Sequence, residues 1–254
     1  MTNKKTDDFM EVIKMLESEQ STSSIFNQKP EQPRQGIFNR ISHLKSAQNL
    51  EKEEYPCFHD YKNGDCELLR GYWKAGWALD LHTTSSIMLS NGYFENHYTN
   101  LGYALNQLKY HDNFVQLPFL IEELSAFLRT RMVLPYLDVI FPVPASKQRA
   151  IQPVYEIAKG VAGKLNKPID FNFIQKVKNT SELKGIQDVD ERKTILSGAF
   201  EITDRNLYRN KKVLLIDDLF RSGSTLNEIA SVLYKDAGVQ NVYVVTLTKT
   251  RVNK

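Results

Sequence analysis

No apolar run in this chain approaches the ~18 residues that a membrane-spanning helix needs, so a helical integral membrane protein is excluded. The opening residues, MTNKKTDDFMEVIKMLESEQ, lack the apolar stretch of a secretory signal, and the expectation is a cytoplasmic protein. Cysteine is scarce: Cys57 and Cys66 are the two in 254 residues, too few for a disulfide framework. With His59 they form C-x-H-x6-C, and His82 could make a fourth zinc ligand. That spacing is looser than the paired spacing of structural zinc sites, so two free thiols and no metal site are expected. The nucleotide P-loop pattern G-x4-G-K-[ST] is missing, and so is the dinucleotide fingerprint G-x-G-x-x-G. An excess of charge of one sign is missing too. Lys and Arg number 33 against 30 Asp and Glu, a net charge of +3 without a basic cluster, which counts against a nucleic-acid binder.

What is present is an ordinary soluble composition, 41% hydrophobic and 25% charged, in a length that suits one large domain or two small ones. Residues 1–55 read as a largely disordered polar tail. One short amphipathic helix is expected in it, over 7–19, where Phe9, Met10, Val12, Ile13, Met15 and Leu16 fall at helical spacing. Residues 56–112 read as a small N-terminal hood. There, 72–81 and 93–98 are expected to pair as a hairpin around the turn signal Ser90-Asn91-Gly92. Trp73 and Trp77 alternate with small residues and are assigned to the core. Helices are expected over 101–113 and 113–131, the second with Pro118 near its start, where proline is tolerated. Lys109 is either a charge favoured at a helix C-terminus or a side chain reaching toward a site. Residues 113–254 read as the core domain. Strands are expected at 137–142, 169–174, 198–203, 212–216 and 241–247, with helices at 153–165, 191–196 and 225–236. Strands apolar on both faces and separated by helices predict an α/β fold with a parallel sheet flanked by helices.

The most informative stretch is VLLIDDLFRSGST, Val213 to Thr225. Ligands of open parallel sheets bind beyond the carboxyl ends of strands. Asp217 and Asp218 stand at such an end. Arg221, Ser222, Gly223, Ser224 and Thr225 form the turn into the next helix, whose exposed N–H groups attract phosphate. Glycine allows close approach, and small hydroxyls add donors without bulk. A sugar phosphate suits both features, with its phosphate in the turn and its hydroxyls on the acids. The alternative is a strand end with an acidic turn and a Ser/Thr helix cap that binds nothing.

The stretch resembles the thirteen-residue signature of type I phosphoribosyltransferases: four hydrophobic residues, two acids, then [Ser/Thr]-Gly-x-[Ser/Thr]. FPVPASKQR (141–149), ELKGIQDVDERKTILSGAF (182–200) and Leu108-Lys109-Tyr110 narrow the likeness to the ComF-like (competence-protein) branch, over about residues 70–250. Two departures stand out. The branch usually begins with a four-cysteine zinc ribbon, which is missing here. Where many members carry R-G-F-N-Q, this chain has Arg149-Ala150-Ile151-Gln152.

The resemblance implies binding of phosphoribosyl pyrophosphate (PRPP) with Mg²⁺, and transfer of the phosphoribosyl group to a small-molecule acceptor with release of pyrophosphate. It implies that Asp217 and Asp218 contact the ribose hydroxyls and that residues 221–225 hold the 5′-phosphate. Magnesium would be held mainly by PRPP oxygens and water. Pyrophosphate would lie against Ser146, Lys147 and Arg149, with Lys147 the leading cation. A mobile loop over 176–192 would bring Lys184 and Arg192, closing out water. Asp80 and His82 are either an ordinary strand end or the lining of the acceptor side. Other readings are a PRPP-binding regulator without catalysis and a DNA-processing accessory protein. A homodimer is compatible with all of them, and no membrane partner is expected.

Overall fold

The computed structural model describes residues 61, 64–145, 149, 151–178 and 195–251. The tail and its expected helix over 7–19 lie outside the described residues, as do Cys57 and His59.

Five strands form the central sheet, in the order β1, β2, β9, β8, β5. They are β1 (Glu67–Leu68), β2 (Ala75–Leu81), β5 (Val139–Pro142), β8 (Lys212–Phe220) and β9 (Asn241–Lys249). β1 is antiparallel at one edge, and every other pairing is parallel. Beyond β5, Ile169 adds a parallel bridge to Ile140. Two antiparallel pairs stand apart from the sheet: β3 (Thr83–Met88) with β4 (Phe94–Tyr98), and β6 (Ile174–Lys176) with β7 (Phe200–Ile202).

Side chains alternate across a strand, so the apolar runs cover both faces. On β8, Val213 and Leu215 enter one core cluster, and Leu214 and Ile216 enter the other. The first face is covered by α4 (Ser224–Lys235) through Leu226, Ile229, Ala230 and Leu233, together with Phe173 and Phe200. The second is covered by α1 (Asn100–Tyr110), α2 (Leu117–Arg129) and α3 (Pro153–Leu165), through residues such as Leu105, Leu124 and Val161. Pro118 and Pro153 lie at the first positions of α2 and α3, where the missing N–H costs nothing. Asn166 closes α3 in the left-handed conformation. Glu123 is buried in α2 and accepts a hydrogen bond from the Tyr61 hydroxyl.

The strand expected at 169–174 is only an isolated bridge at Ile169, with Ile174 opening β6. The fold is otherwise the expected α/β sheet flanked by helices, with two further corrections. Residues 72–81 do not pair with 93–98. Segment 75–81 is β2, an inner strand parallel to β9, and the hairpin is β3 with β4. The reason is burial. Ala78 and Leu79 are buried and Trp77 stacks on Tyr243, so this segment needs cover on both faces. TTSSIM at 83–88 is mostly exposed and suits a two-stranded ribbon. Ser90-Asn91-Gly92 is the turn, with Gly92 at φ 80° donating its N–H to Leu89 O at 2.9 Å. The second correction concerns the strand expected at 212–216. It continues to Phe220, because β9 also continues, to Lys249, and pairs with it throughout.

Candidate functional site

Because β8 is longer than expected, Asp217 and Asp218 lie within the strand, with Asp217 opposite Thr246 on β9. The Asp218 N–H donates to Asp217 Oδ1 at 2.8 Å, and Asp218 Oδ2 lies 2.7 Å from the Lys109 ammonium at the end of α1. Burial raises the Asp217 carboxyl above its ordinary value, and the adjacent Asp218 charge adds to the effect. The His82 ring lies 3.1 Å (Nδ1) from Thr248 Oγ1 and meets the Tyr98 ring edge to face. Its pKa is lowered by burial first and by the Lys109 charge second, with Arg221 adding a smaller push in the same direction. Lys109, Asp218, His82 and Arg221 therefore share one electrostatic neighbourhood at the carboxyl ends of β2, β9 and β8.

Arg221, Ser222 and Gly223 make the turn, and α4 begins at Ser224. Thr225 is consequently in the first helical turn rather than in the loop. Gly223 occupies the N-cap position at φ 75°, with no side-chain cap. A Cβ there would fall 2.8 Å from the Phe220 ring, so both the conformation and the space require glycine. The Ser222 and Ser224 hydroxyl oxygens are 3.0 Å apart. The N-cap residue thus offers no side-chain acceptor to the first-turn N–H groups, and among them the Ser224 N–H makes a long contact to Ser222 Oγ, at 3.4 Å.

The neighbouring strand exit carries a cavity. β5 and β8 run in parallel up to the pair Pro142 and Ile216, and Val143 N–H donates to Ile216 O at 2.9 Å. The chain then reaches Pro144 and Ala145, which line a cavity of about 680 Å³ with Arg149, Gln152, Tyr155 and residues 171–172 and 174–178. Arg149, Lys176 and Lys178 give it three cations and no carboxylate among its described lining residues. Burial lowers the Lys176 pKa and raises that of the Tyr155 phenol. Lys178 donates to Ser197 O at 2.6 Å, bracing the start of the segment that leads away.

Of the sequence-derived candidates, the structure brings together Asp217, Asp218, Arg221, Ser222, Gly223, Ser224 and Thr225, and lines the adjacent cavity with Arg149. Ser146, Lys147, Lys184 and Arg192 lie outside the described residues. His82 joins the neighbourhood of the acids, whereas Asp80 Oδ1 accepts from the Leu81 N–H at 2.6 Å, a local strand-end bond. Lys176 and Lys178 were missed. Their signal was Lys-x-Lys at the start of the loop expected over 176–192, although Lys176 is in fact the last residue of β6. Trp73 and Trp77 pack against the two core clusters, as expected. Cys66 is a free thiol whose pKa is raised by burial, and no cluster of three metal-ligating side chains occurs among the described residues.

A family model described as phosphoribosyl transferase domain matches residues 147–253. Competence protein F of Haemophilus influenzae is 30% identical over 111 residues, 42% of this chain and 48% of the relative. The chain therefore spans about half the length of that curated relative. Among solved structures, UMP synthase of Leishmania donovani is 20% identical, with 65% of this chain and 28% of that one covered, at a TM-score of 0.35. Adenine phosphoribosyltransferase of Saccharomyces cerevisiae is 13% identical, with 74% and 88% covered, also at 0.35. The fold rests on the sheet order and connectivity above rather than on likenesses of that size.

Proposed function

We propose that this chain, whose residues 147–253 match a phosphoribosyl transferase domain model, is a type I phosphoribosyltransferase of the ComF-like branch that binds PRPP and transfers its 5-phosphoribosyl group to a small-molecule acceptor. One observation carries the reading. A buried strand delivers two adjacent acids and then a glycine-opened helix start, beside a cation-lined cavity at the next strand's exit. An acid pair alone is common, and a helix start alone is common. Their combination at one end of a parallel sheet matches a ligand with two hydroxyls and phosphates at both ends.

In this reading the 5′-phosphate lies on the first-turn N–H groups of α4 and the hydroxyls of Ser222, Ser224 and Thr225. Asp217 and Asp218 accept from the ribose hydroxyls. The pyrophosphate faces the cavity with Arg149, Lys176 and Lys178, and the resemblance assigns Ser146, Lys147, Lys184 and Arg192 to the same group. The acceptor's nucleophile attacks the anomeric carbon as the C–O bond to pyrophosphate breaks, and the leaving group departs with the electron pair. The protein's contribution is to hold the two reactants aligned and to meet the charge growing on pyrophosphate with fixed cations. Lys109 and a backbone N–H engage one oxygen of each carboxylate, and the remaining oxygens suit contact with Mg²⁺ through its water ligands. When bound, Mg²⁺ would supply further neutralisation of the leaving group.

The test is calorimetric titration of PRPP with Mg²⁺ into the wild type and the double variant Asp217→Asn/Asp218→Asn. Micromolar-range binding is expected for the wild type, with about a hundredfold loss in the double variant, the scale of losing two hydrogen-bond acceptors. Equal affinities would overturn the reading. Pyrophosphate release that depends on an added acceptor distinguishes the transferase from a PRPP-binding regulator.

A further inference from the structure

A lysine in the last turn of a helix ordinarily caps the free carbonyls there. Lys109 instead sends its ammonium to Asp218 Oδ2 at 2.7 Å, and only 18% of the Lys109 side chain and 14% of the Asp218 side chain are exposed. Exposed ion pairs contribute little. In one this sheltered, losing either partner strands the other charge away from water. The other acid is supported differently, since Asp217 Oδ1 accepts from the Asp218 backbone N–H at 2.8 Å. One oxygen of each carboxylate is thereby engaged by the protein.

The residue after Lys109 reaches the other half of the site. The Tyr110 ring lies 5.9 Å from the Arg149 guanidinium, within cation–π range, and 6.0 Å from the Lys109 ammonium. The last turn of α1 thus meets the acids through Lys109 and the β5 exit through Tyr110. The helix start is fixed as well. The Thr99 hydroxyl donates to Leu81 O at 2.6 Å and accepts from the Gly102 N–H at 3.0 Å, clasping α1 to the end of β2.

We propose that Lys109 is the positioning residue of the acid pair, its ammonium aiming the Asp218 carboxylate so that the oxygen it leaves over receives a ribose hydroxyl. This rests on the phosphoribosyl reading above and adds to it a residue from outside the thirteen-residue stretch. Lys109 acts through Asp218 and touches no phosphate.

Calorimetry of PRPP and of pyrophosphate alone, each with Mg²⁺, tests this in Lys109→Met, Lys109→Arg, Asp218→Asn and the double variant Lys109→Met/Asp218→Asn. Lys109→Met is expected to bind PRPP about tenfold more weakly, the scale of one charge-assisted hydrogen bond, with pyrophosphate affinity unchanged. Lys109→Arg is expected to recover most of the loss. The double variant should be no weaker than Asp218→Asn, because the lysine has no effect once its carboxylate is gone. Additive losses overturn the proposal, and so do equal losses for PRPP and pyrophosphate or a Lys109→Met variant that binds PRPP like the wild type. A Lys109→Met variant that no longer melts cooperatively also overturns it, since Lys109 would then be a staple of the fold. A wild type that binds no PRPP removes the phosphoribosyl reading itself, which separates that failure from the failure of Lys109.

Discussion

β2 and β8 flank β9 and run parallel to it, yet they end in opposite ways. β8 carries an acid pair and closes within three residues into α4, through a glycine at φ 75° where a Cβ would press on the Phe220 ring. β2 runs out into the β3–β4 ribbon, whose tip exposes Ile87, Met88, Tyr93 and Phe94. Sheet position therefore does not make a site. What distinguishes the β8 exit is that its acids are held by a backbone bond and by a neighbouring charge, whereas the two strands of the ribbon pair only with each other among the described residues and meet the rest of the fold at Thr84 and Tyr98.

Two glycines at left-handed φ provide the strongest test of that difference. Gly223→Ala places a Cβ against Phe220 at φ 75°. It is expected to cost about 1–3 kcal/mol, to lower Tm by on the order of 5 °C, and to weaken PRPP binding more than about tenfold as the phosphate turn shifts. Gly92→Ala, at φ 80° in open space at the ribbon turn, carries a similar conformational cost. It should leave PRPP affinity within about twofold. A Gly92→Ala variant that loses binding equally would erase the contrast.

A smaller effect is expected from pH. The buried Asp217 has its pKa raised above the ordinary 3.8. The folded state therefore holds a proton that the unfolded chain has released, and stability falls as pH rises from about 4 through the folded value. Asp217→Asn removes that penalty. Thermal melts should show the variant more stable than the wild type at about pH 8, with the gap closing toward about pH 4. A gap that widened toward acid would contradict the direction of the shift. The smallest effect is expected at the ribbon: Phe94→Ser should change stability by no more than about 0.5 kcal/mol, since the ring is already in water.

Much of this was legible in the residues, and the rest was not for physical reasons. Helix α3 matches its expected range, 153–165, because proline opens it, asparagine closes it and the apolar period between them is strong. The acid pair and its turn were readable because few chemistries require Asp-Asp followed by Ser-Gly-Ser. β2 was misassigned because a seven-residue apolar segment does not say which strand it pairs with; burial on both faces decides that, and it depends on α1 and β9 from elsewhere in the chain. Lys109 could be named but not placed. A lysine at a helix end looks the same whether it meets water or an aspartate more than a hundred residues away. Lys176 and Lys178 went unnoticed because their meaning depends on the cavity they line.

The clasp at Thr99 has one more consequence. Thr99 N–H donates to His82 O at 3.3 Å, and a Cβ on Gly102 would fall 1.9 Å from that same oxygen. The chain thus leaves the sheet at His82 and returns at Thr99 to almost the same point. Residues 83–98 are an excursion with stitched ends, and closing a shorter loop there changes the entropy only slightly. With Tyr98 kept for its contacts to Asn106 and His82, the rest of the ribbon could be trimmed to a tight turn, or exchanged for a foreign segment, without re-aiming the helix that carries Lys109.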